Sequence, residues 1–592
     1  MILERINGPA DIKKLETNQL NVLAKEMRNA LIKKTSACGG HLASNLGIVE
    51  ITIGLHRVFD APNDKIIYDV SHQTYCHKML TGRKDAFLYP DKYEDVCGYS
   101  NPNESEYDLF NIGHTSTSIS LACGIAKARD LTDGRENVIA VIGDASLDGG
   151  QAFEALNYGA EMGSGLIIVV NDNDMSIPEN HGILNNRLNA LKDNNGNIED
   201  NYFKSLGYEY IFVEDGHDIC SVISAFEKVK GTDHPVVVHI RTQKGKGYSF
   251  AENNSEKWHW AHPFNVESGE FTSNVPTENY GKIASEFLLN KIKKDPSVVV
   301  VAASTPLCIG FNESNRKKAG KQFIDVGIAE QESVAFAEQN AISFSTGLVK
   351  NGCKPVFATN STFYQRAYDQ IEQEMCISKC AVTMIVTHAS VFGHANDTHH
   401  GLLDIALLGN IPGLVYLAPT NKEEYIAMME WSIEQNQTPV AIRVPWTGVN
   451  HTNKEVDSDY SRTKYLINEN GSKVAILALG GFYQIGEKAA KLYKQRTGIQ
   501  PTLINPRFIT GIDNNTLDSL SAKHDIVVTI EDGIISGGFG ARISQYYSAS
   551  STKVMNFGFS MDIPNRYVPT ELMEKNHLTP ELIVEDILNI SK

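Results

Sequence analysis

The chain of 592 residues has no run that approaches the roughly 20 consecutive apolar residues of a membrane-spanning helix. Its N-terminal segment, MILERINGPADIKKL, also lacks the apolar core of a secretion signal. The nine cysteines show no paired spacing, which argues against a disulfide framework and fits a reducing compartment. We therefore expect a cytoplasmic protein that makes no contact with a membrane.

Positive charge is also scarce, because 54 Lys and Arg stand against 71 Asp and Glu, a formal net charge of −17. An acidic surface repels a phosphate backbone, so we expect no nucleic acid as a partner. A phosphorylated small molecule would have to bind locally, through a metal ion, backbone amides or a few cations in a pocket. Hydrophobic residues make up 42% of the chain, which is ordinary for a folded protein.

Short apolar runs alternate with helical segments along the chain, which is typical of parallel strands buried on both faces. Three series of runs begin at VIAVIG (138–143), VVVVAAS (298–304) and KVAILALGG (473–481). Polar linkers near 268–280 and 451–461 separate the series. The pattern predicts an α/β fold of three tandem doubly wound domains, with bounds at 1–272, 277–450 and 462–592.

Apolar residues between positions 12 and 31 recur at helical spacing and predict one amphipathic docking helix ahead of the first series.

Polar side chains follow two neighbouring strands of the first series. Asp144 comes directly after VIAVIG and before a turn with Ser146 and two glycines, and Asn173 follows the next apolar run, LIIVVND. A carboxylate and an amide oxygen at adjacent strand ends can share Mg²⁺, which then bridges to phosphate oxygens. A helix that begins at such a turn also presents its amides to an anion.

This arrangement resembles the thiamine-diphosphate motif, GDG followed about thirty residues later by Asn, except that Ala145 stands where the motif has glycine. Neighbouring segments extend the resemblance to the 1-deoxy-D-xylulose-5-phosphate synthase family. They run in order over most of the chain: GGHLASNLGIVEIT (39–52), YDVSHQTYCHKMLTGR (68–83), ESEYDLFNIGHTSTSIS (104–120), KGKGYSFAE (244–252), GIAEQ (327–331) and STFYQRAYDQ (361–370).

The resemblance implies a site with thiamine diphosphate and Mg²⁺ as cofactors. It implies that Asp144, Asn173 and the carbonyl of Met175 hold the metal, and that His41 and His259 are active-site histidines suited to proton transfer. The positions that it implies beside the cofactor are His72, Gly113, His114, Thr115, Ala145, Ser146, Tyr248, Phe363 and Arg366.

Thiamine chemistry also needs a glutamate on the pyrimidine ring, and two candidates occur because IAEQESVA is followed by the near-repeat FAEQNAIS. Glu330 keeps the strand end before it, whereas Glu338 keeps the family distance to Phe363 and Arg366. Eight helical residues displace a side chain by about 12 Å, so only one glutamate can be the activator. We slightly favour Glu330 and retain both.

The resemblance further implies a homodimeric transferase of isoprene and thiamine biosynthesis, which decarboxylates pyruvate and joins the two-carbon unit to glyceraldehyde 3-phosphate. His399 matches the family site. The acceptor pocket departs from the family at four positions: His388 for Arg, Ala395 for Asp, Trp446 for Arg and Asn360 for Tyr. Neither His nor Trp replaces the bidentate grip of a guanidinium on phosphate.

These departures leave two alternatives open. One is a related carboligase or transketolase with a different acceptor, whether phosphorylated or unphosphorylated. The other is a catalytically inactive cofactor-binding subunit, for which Ala145 and the repeated glutamate motif would be the reasons.

Overall fold

The computed structural model describes residues 1–175, 182–272, 278–303, 305–325, 337–391, 398–445, 448–562 and 567–590. The chain divides into two compact units, residues 1–275 with 327–337 and residues 276–326 with 338–592. Among the described residues, no helix combines the length and the apolar character that crossing a membrane requires.

The first unit is built on a five-stranded parallel sheet in the order β2-β3-β4-β6-β5, with β1 and β7 as a separate antiparallel pair. Its strands are β1 Gly40–His41, β2 Lys65–Tyr68, β3 Val138–Gly143, β4 Ile167–Asp172, β5 Glu209–Val213, β6 Val236–Arg241 and β7 Trp260–Ala261.

Twelve helices of the first unit lie within the described residues. They are α1 Pro9–Ile12, α2 Thr17–Cys38, α3 Ala43–Gly47, α4 Val49–Val58, α5 Tyr75–Lys78, α6 Asp85–Leu88, α7 Ser118–Leu131, α8 Gly150–Met162, α9 Ile183–Asp193, α10 Tyr202–Ser205, α11 Ile219–Val229 and α12 Ser249–Asn253.

Strand β3 shows why its sequence is a continuous apolar run. Val138, Ala140 and Ile142 pack into the core on one side of the sheet, and Ile139 and Val141 pack into the core on the other side. Successive side chains of a strand point to opposite faces, so a strand covered on both faces has no polar alternation. The predicted α/β class with buried parallel strands is confirmed.

The predicted single helix at 12–31 is wrong, because α1 ends at Ile12 and α2 begins only at Thr17. The break has a local cause. The Glu16 side chain accepts from the backbone of Gln19, and the Gln19 side chain accepts from the backbone amide of Glu16, which is a capping box that starts a new helix.

The second unit contains a six-stranded parallel sheet, β12-β13-β11-β10-β8-β9, and a five-stranded sheet, β14-β16-β15-β17-β18, whose edge strand β14 is antiparallel. Their strands are β8 Val298–Ala302, β9 Phe323–Asp325, β10 Lys354–Asn360, β11 Thr383–Ala389, β12 Val415–Leu417, β13 Val440–Pro445, β14 Leu466–Glu469, β15 Lys473–Ala478, β16 Thr502–Asn505, β17 His524–Ile534 and β18 Lys553–Phe559.

Ten helices of the second unit lie within the described residues. They are α13 Tyr280–Lys294, α14 Glu313–Ala319, α15 Ala337–Lys350, α16 Asp404–Leu408, α17 Lys422–Glu434, α18 Tyr483–Thr497, α19 Asn514–Ser521, α20 Phe539–Tyr546, α21 Pro569–Lys575 and α22 Pro580–Ile590.

A buried arginine joins the two sheets of the second unit. Arg443 on β13 is 1% exposed, and its Nε donates to Oδ2 of Asp404 over 2.7 Å. Its guanidinium also forms an ion pair with Asp532 on β17, which belongs to the other sheet. Two buried carboxylates therefore depend on one cation for their charge balance.

We expect Arg443→Met to destabilise the second unit by about 3–5 kcal/mol, because it leaves Asp404 and Asp532 buried without their cation. Urea unfolding of the full chain measures the loss. Arg462→Met, at an exposed position, is the matched control and should change stability by less than about 0.5 kcal/mol. An Arg443→Met protein as stable as this control would contradict the role assigned to the ion pairs.

Candidate active site

Three of the histidines singled out in the sequence lie together in the first unit. The ring centroids of His41 and His72 are 5.0 Å apart, those of His41 and His259 are 5.3 Å apart, and those of His72 and His259 are 5.6 Å apart. All three side chains are at most 2% exposed. Residues separated by more than 200 positions in the chain thus form one cluster.

Asn45 holds two of these histidines in place, and sequence reasoning missed it. Its Nδ2 donates to the carbonyls of His41, over 2.8 Å, and of His72, over 2.9 Å. Its Oδ1 accepts from the backbone amide of Tyr75 over 2.9 Å. Asn45 is fully buried, so all three bonds are made away from water. The signal that could have identified Asn45 was its position inside the GGHLASNLG segment, which also contains His41.

Two glycines before His41 permit close approaches, Gly39 to β7 and Gly40 to Tyr75. Gly39 has a φ of +77°, and a Cβ there would lie 2.9 Å from the carbonyl oxygen of Ala261. Gly40 has a φ of +131°, and a Cβ there would lie 3.0 Å from the hydroxyl of Tyr75. A side chain at either position would be strained; at Gly39 it would meet β7, and at Gly40 it would meet Tyr75 on α5.

The turn before α7 is organised by a buried carboxylate. Asp69 accepts from the amides of Ser116 over 2.8 Å and of Thr117 and Ser118 over 2.9 Å each. Burial raises the pKa of Asp69, although these donated bonds oppose the shift. The turn that ends at Ser116 contains three of the implied cofactor positions: Gly113, His114 and Thr115.

The implied metal ligands follow neighbouring strands, as the sequence predicts. Asp144 follows β3 and Asn173 follows β4, and these parallel strands pair with Gly143 opposite Asn171. The amide of Asp144 donates to the carbonyl of Asn171 over 3.2 Å, which ties the two strand ends together. Ala145 and Ser146 begin the short 3-10 helix Ala145–Asp148 that leads into α8.

The oxygen chemistry at these strand ends suits a hard cation. Asp144 is 2% exposed, and Oδ1 of Asn173 is buried without a hydrogen-bond partner among the described residues. A buried amide oxygen left without a donor is costly unless a cation or water binds it. The residues present therefore fit Mg²⁺, with Met175 two positions further along the same segment.

Lys192 binds the two carboxylates that flank Asn173 in the sequence. Lys192 on α9 is 4% exposed, and its Nζ donates to Oδ1 of Asp172 over 2.7 Å. It also forms an ion pair with Asp174. The other oxygen of Asp172 is bound by Nε2 of His239 at 2.8 Å. Burial alone would raise the pKa of Asp172, but His239 and Lys192 hold it below its ordinary value.

Tyr248 lies in the core of the first unit, where its ring packs against Trp258 and Phe264. Its hydroxyl donates to the carbonyl of Val266 over 3.0 Å. Its implied contact with the cofactor stays a prediction.

Lys244, from the same KGKGY segment, was missed by sequence reasoning. Its side chain is 3% exposed, and its charge adds to the effect of burial in lowering the pKa of His259.

In the second unit, Glu338 lies in the first turn of α15 and is fully buried. Neither of its carboxylate oxygens has a hydrogen-bond partner among the described residues. Burial raises the pKa of Glu338 well above its ordinary value, and the charge of Arg366 offsets only part of that effect. Phe363 is also buried, and its ring stands edge-on to His399 with centroids 6.0 Å apart.

Two of the four departures in the acceptor pocket lie within the described residues. Oδ1 of Asn360 accepts from the hydroxyl of Thr387 over 2.9 Å, and Nδ1 of the neighbouring His388 is 3.2 Å from the same hydroxyl. His388 has a φ of +51° at the end of β11. Glu330, Ala395 and Trp446 lie outside the described residues.

Stability should depend on pH through His259. Its burial, reinforced by the charges of Lys244 and neighbouring histidines, holds the pKa of His259 well below its ordinary value of 6.5. Below pH 6.5, His259 binds a proton in the unfolded chain but stays unprotonated in the folded chain. Acidification therefore favours unfolding. When the pH falls from 7.5 to 5.5, the free energy of unfolding should decrease in both proteins. We expect the decrease to be about 1.4 kcal/mol smaller in His259→Gln than in the wild type.

Urea unfolding at both pH values measures this difference. His262→Gln is the control, because His262 is exposed in the same segment and should leave the pH dependence as in the wild type. A His259→Gln protein with the full acid sensitivity of the wild type would contradict the burial argument.

Three family models match consecutive stretches of the chain. Residues 3–199 and 194–242 match the model described as 1-deoxy-D-xylulose-5-phosphate synthase. Residues 278–449 match the pyrimidine binding domain of transketolase, and residues 463–583 match its C-terminal domain. A solved transketolase from Pichia stipitis covers 97% of this chain and of itself, with 16% identity and a TM-score of 0.44.

The curated relatives are similar over their whole length. The 1-deoxy-D-xylulose-5-phosphate synthase of Alkaliphilus oremlandii is 38% identical over 99% of this chain and 98% of its own. The enzyme of that name from Clostridium beijerinckii is 37% identical over 100% of this chain and 99% of its own. The chain therefore belongs to the 1-deoxy-D-xylulose-5-phosphate synthase family of transketolase-type transferases.

Proposed function

We propose that the protein decarboxylates pyruvate and joins the two-carbon unit to an aldehyde, giving 1-deoxy-D-xylulose 5-phosphate when the acceptor is glyceraldehyde 3-phosphate. The observation that carries this proposal is the family membership over the full chain, together with a diphosphate turn and metal ligands that fit the cofactor. The substrates are those that the family name and the resemblance imply.

The cofactors of the proposed reaction are thiamine diphosphate and Mg²⁺. Asp144, Asn173 and the carbonyl of Met175 would hold the metal, and the metal would neutralise the diphosphate beside the turn at Ala145 and Ser146. When bound, thiamine diphosphate supplies a carbon nucleophile and an electron sink for decarboxylation. The metal matters here because the chain carries a net charge of −17 and offers no general attraction for phosphate.

We propose Glu338 as the glutamate that activates the cofactor, although the sequence slightly favours Glu330. Support comes from burial, because a raised pKa favours the protonated form of the carboxyl group, which can exchange its proton with a pyrimidine nitrogen. Its two oxygens are also unused by the described residues around it. The neighbours Phe363 and Arg366 would then frame the pyrimidine ring.

The buried histidines are proposed to move protons near the reacting carbons. Burial keeps His259 neutral at working pH, so its Nε2 can accept or donate a hydrogen bond without carrying a charge. Its Nδ1 lies 3.3 Å from the hydroxyl of Ser44, which orients the ring. His41 and His72 lie within ring contact of it and complete a proton-transfer surface.

A second candidate function is a carboligase with a different acceptor. The observation in its favour is the pair Asn360 and His388 at the ends of neighbouring strands, where the resemblance implies Tyr and Arg. An inactive cofactor-binding subunit is less favoured, because it has no need of a buried glutamate such as Glu338 to activate the cofactor. We also propose the domain bounds 1–272, 277–450 and 462–592, a homodimer and a cytoplasmic location.

The test supplies purified protein with thiamine diphosphate, Mg²⁺, pyruvate and glyceraldehyde 3-phosphate, and follows CO₂ and 1-deoxy-D-xylulose 5-phosphate by mass spectrometry. We expect both products in equal amounts. Glu338→Gln should lower kcat by about 10²- to 10⁴-fold, because the proton relay to the cofactor is lost. Glu330→Gln is the matched variant and should retain activity within a few-fold.

The reverse pattern, in which Glu330→Gln is the inactive variant, would contradict the assignment of Glu338. Release of CO₂ without the five-carbon product would favour the second candidate function. Absence of both products would overturn the proposed reaction.

Lys192 offers a separate test of the metal site. Because it binds the carboxylates on both sides of Asn173, we expect Lys192→Met to weaken Mg²⁺ binding about 10- to 100-fold, as the loss of a group that orients a ligand does. Titration calorimetry with Mg²⁺ in the presence of thiamine diphosphate measures the affinity.

Lys192→Arg keeps the charge and should recover part of the affinity. The exposed Lys204→Met is the control and should bind Mg²⁺ as the wild type does. If Lys192→Met binds within threefold of the wild type, Lys192 does not orient the metal site.

A further inference from the structure

The loop between β6 and α12 carries Lys244, and one carboxylate outside the loop holds it at both ends. Glu50 on α4 is 4% exposed. Its Oε1 accepts from Nη1 of Arg28 over 2.6 Å, and its Oε2 accepts from Nη2 over 2.7 Å, which is a bidentate ion pair. The Nε of Arg28 donates to the carbonyl of Lys246 over 3.1 Å. The far end of the loop is therefore fixed through Arg28.

His217 connects the same carboxylate to the near end of the loop. Its Nδ1 lies 3.0 Å from Oε2 of Glu50, and its Nε2 accepts from the backbone amide of Gln243 over 2.9 Å. A backbone amide can only donate, so Nε2 carries no proton and Nδ1 donates its proton to the carboxylate. Burial alone would raise the pKa of Glu50, but His217 and Arg28 lower it to about 2, which keeps Glu50 ionised.

Backbone bonds connect the loop to the segment of His259. The amide of Gly245 donates to the carbonyl of Ala43 over 2.9 Å, and the amide of Ala43 donates to the carbonyl of Trp258 over 3.1 Å. Lys244 precedes Gly245 in the chain, and His259 follows Trp258. Lys244 is 3% exposed, and its charge adds to the effect of burial in lowering the pKa of His259. The loop thus places a buried ammonium group where it acts on His259.

We propose that His217 is a positioning residue, which fixes the loop 242–248 so that Lys244 stays beside His259. This inference rests on the proposed function, because it takes His259 as a residue that moves protons near the reacting carbons. His217 is assigned no contact with a reacting atom and acts through Lys244. A loop released at Gln243 would let the ammonium group reach water, and the electrostatic surroundings of His259 would change.

Hydrogen exchange tests the contact between His217 and the loop and needs no activity. His217→Phe removes the acceptor for the amide of Gln243 and leaves the ion pair of Glu50 with Arg28 in place. We expect this amide to exchange about 3- to 10-fold faster than in the wild type, because one hydrogen bond of the loop is lost. Mass spectrometry of fragments that isolate residue 243 measures the rate.

Labelling with acetic anhydride tests the position of Lys244, also without activity. In the wild type the buried Lys244 should react at least about tenfold more slowly than the partly exposed Lys246, because it reacts only when the loop opens. In His217→Phe the two lysines should react at similar rates.

Two further variants separate the role of the contact from a general loss of structure. His217→Gln is the conservative variant, because its planar amide offers one donor and one acceptor in place of the two imidazole nitrogens. It should restore slow exchange and slow labelling. His234→Phe is the matched control, because His234 also lies between two carboxylates, those of Asp233 and Glu209, but at the opposite end of β6. It should behave as the wild type does.

A double-mutant cycle on kcat tests whether His217 acts through Lys244. With pyruvate, glyceraldehyde 3-phosphate, thiamine diphosphate and Mg²⁺ present, His217→Phe and Lys244→Met should each lower kcat by about 10- to 100-fold. The double variant should lie within about threefold of the slower single variant, because the second change removes nothing further. His217→Gln should recover most of the wild-type kcat.

Wild-type exchange at Gln243 or wild-type labelling of Lys244 in His217→Phe would overturn the proposal. A double variant whose loss of kcat is the product of the two single losses would also overturn it. If His217→Phe does not fold, His217→Ser removes the same contacts with a smaller side chain and takes its place in every measurement. If the wild type shows no turnover, the proposed function fails, and exchange and labelling alone then decide whether His217 holds the loop.

Discussion

The side chain of Asn45 joins three segments that the candidate site needs in one place. Its amide donates to the carbonyls of His41 and His72, and its carbonyl oxygen accepts from the amide of Tyr75. Because Asn45 is fully buried, none of these bonds can be exchanged for water without cost. Asn45 thus fixes the backbone at His41 and His72, and Asp69 holds the turn before α7 by accepting from its amides.

Most of the fold could be predicted because its determining feature is local in sequence. A strand buried on both faces is apolar at every position, as in β3, and such runs stand out without any knowledge of tertiary contacts. The start of α2 was missed because its capping box uses Glu16 and Gln19 rather than a serine or threonine. The two larger sheets of the second unit are joined by contacts between distant residues, such as Arg443 with Asp532, and such contacts leave no local pattern.

The candidate site divides in the same way. Asp144 and Asn173 were found because each follows a strand, and strand ends are visible in sequence. Asn45 and Lys192 were missed because a buried amide or lysine acquires its role only from partners elsewhere in the chain. The choice between Glu330 and Glu338 was not decidable by spacing, since both lie in copies of one motif. The burial of Glu338 is a property of the tertiary structure, and it is the physical reason for proposing Glu338 over Glu330.

The ion pair between Arg443 and Asp532 also restricts how the gene can be divided. A chain cut in the linker near residues 451–461 would leave a buried guanidinium on one fragment and its carboxylate on the other. Each fragment would expose the apolar surface where Leu417 meets Phe508. The charge of Arg443 is therefore balanced only when both portions of the second unit are present, whereas the first unit carries its own cores and its own histidine cluster.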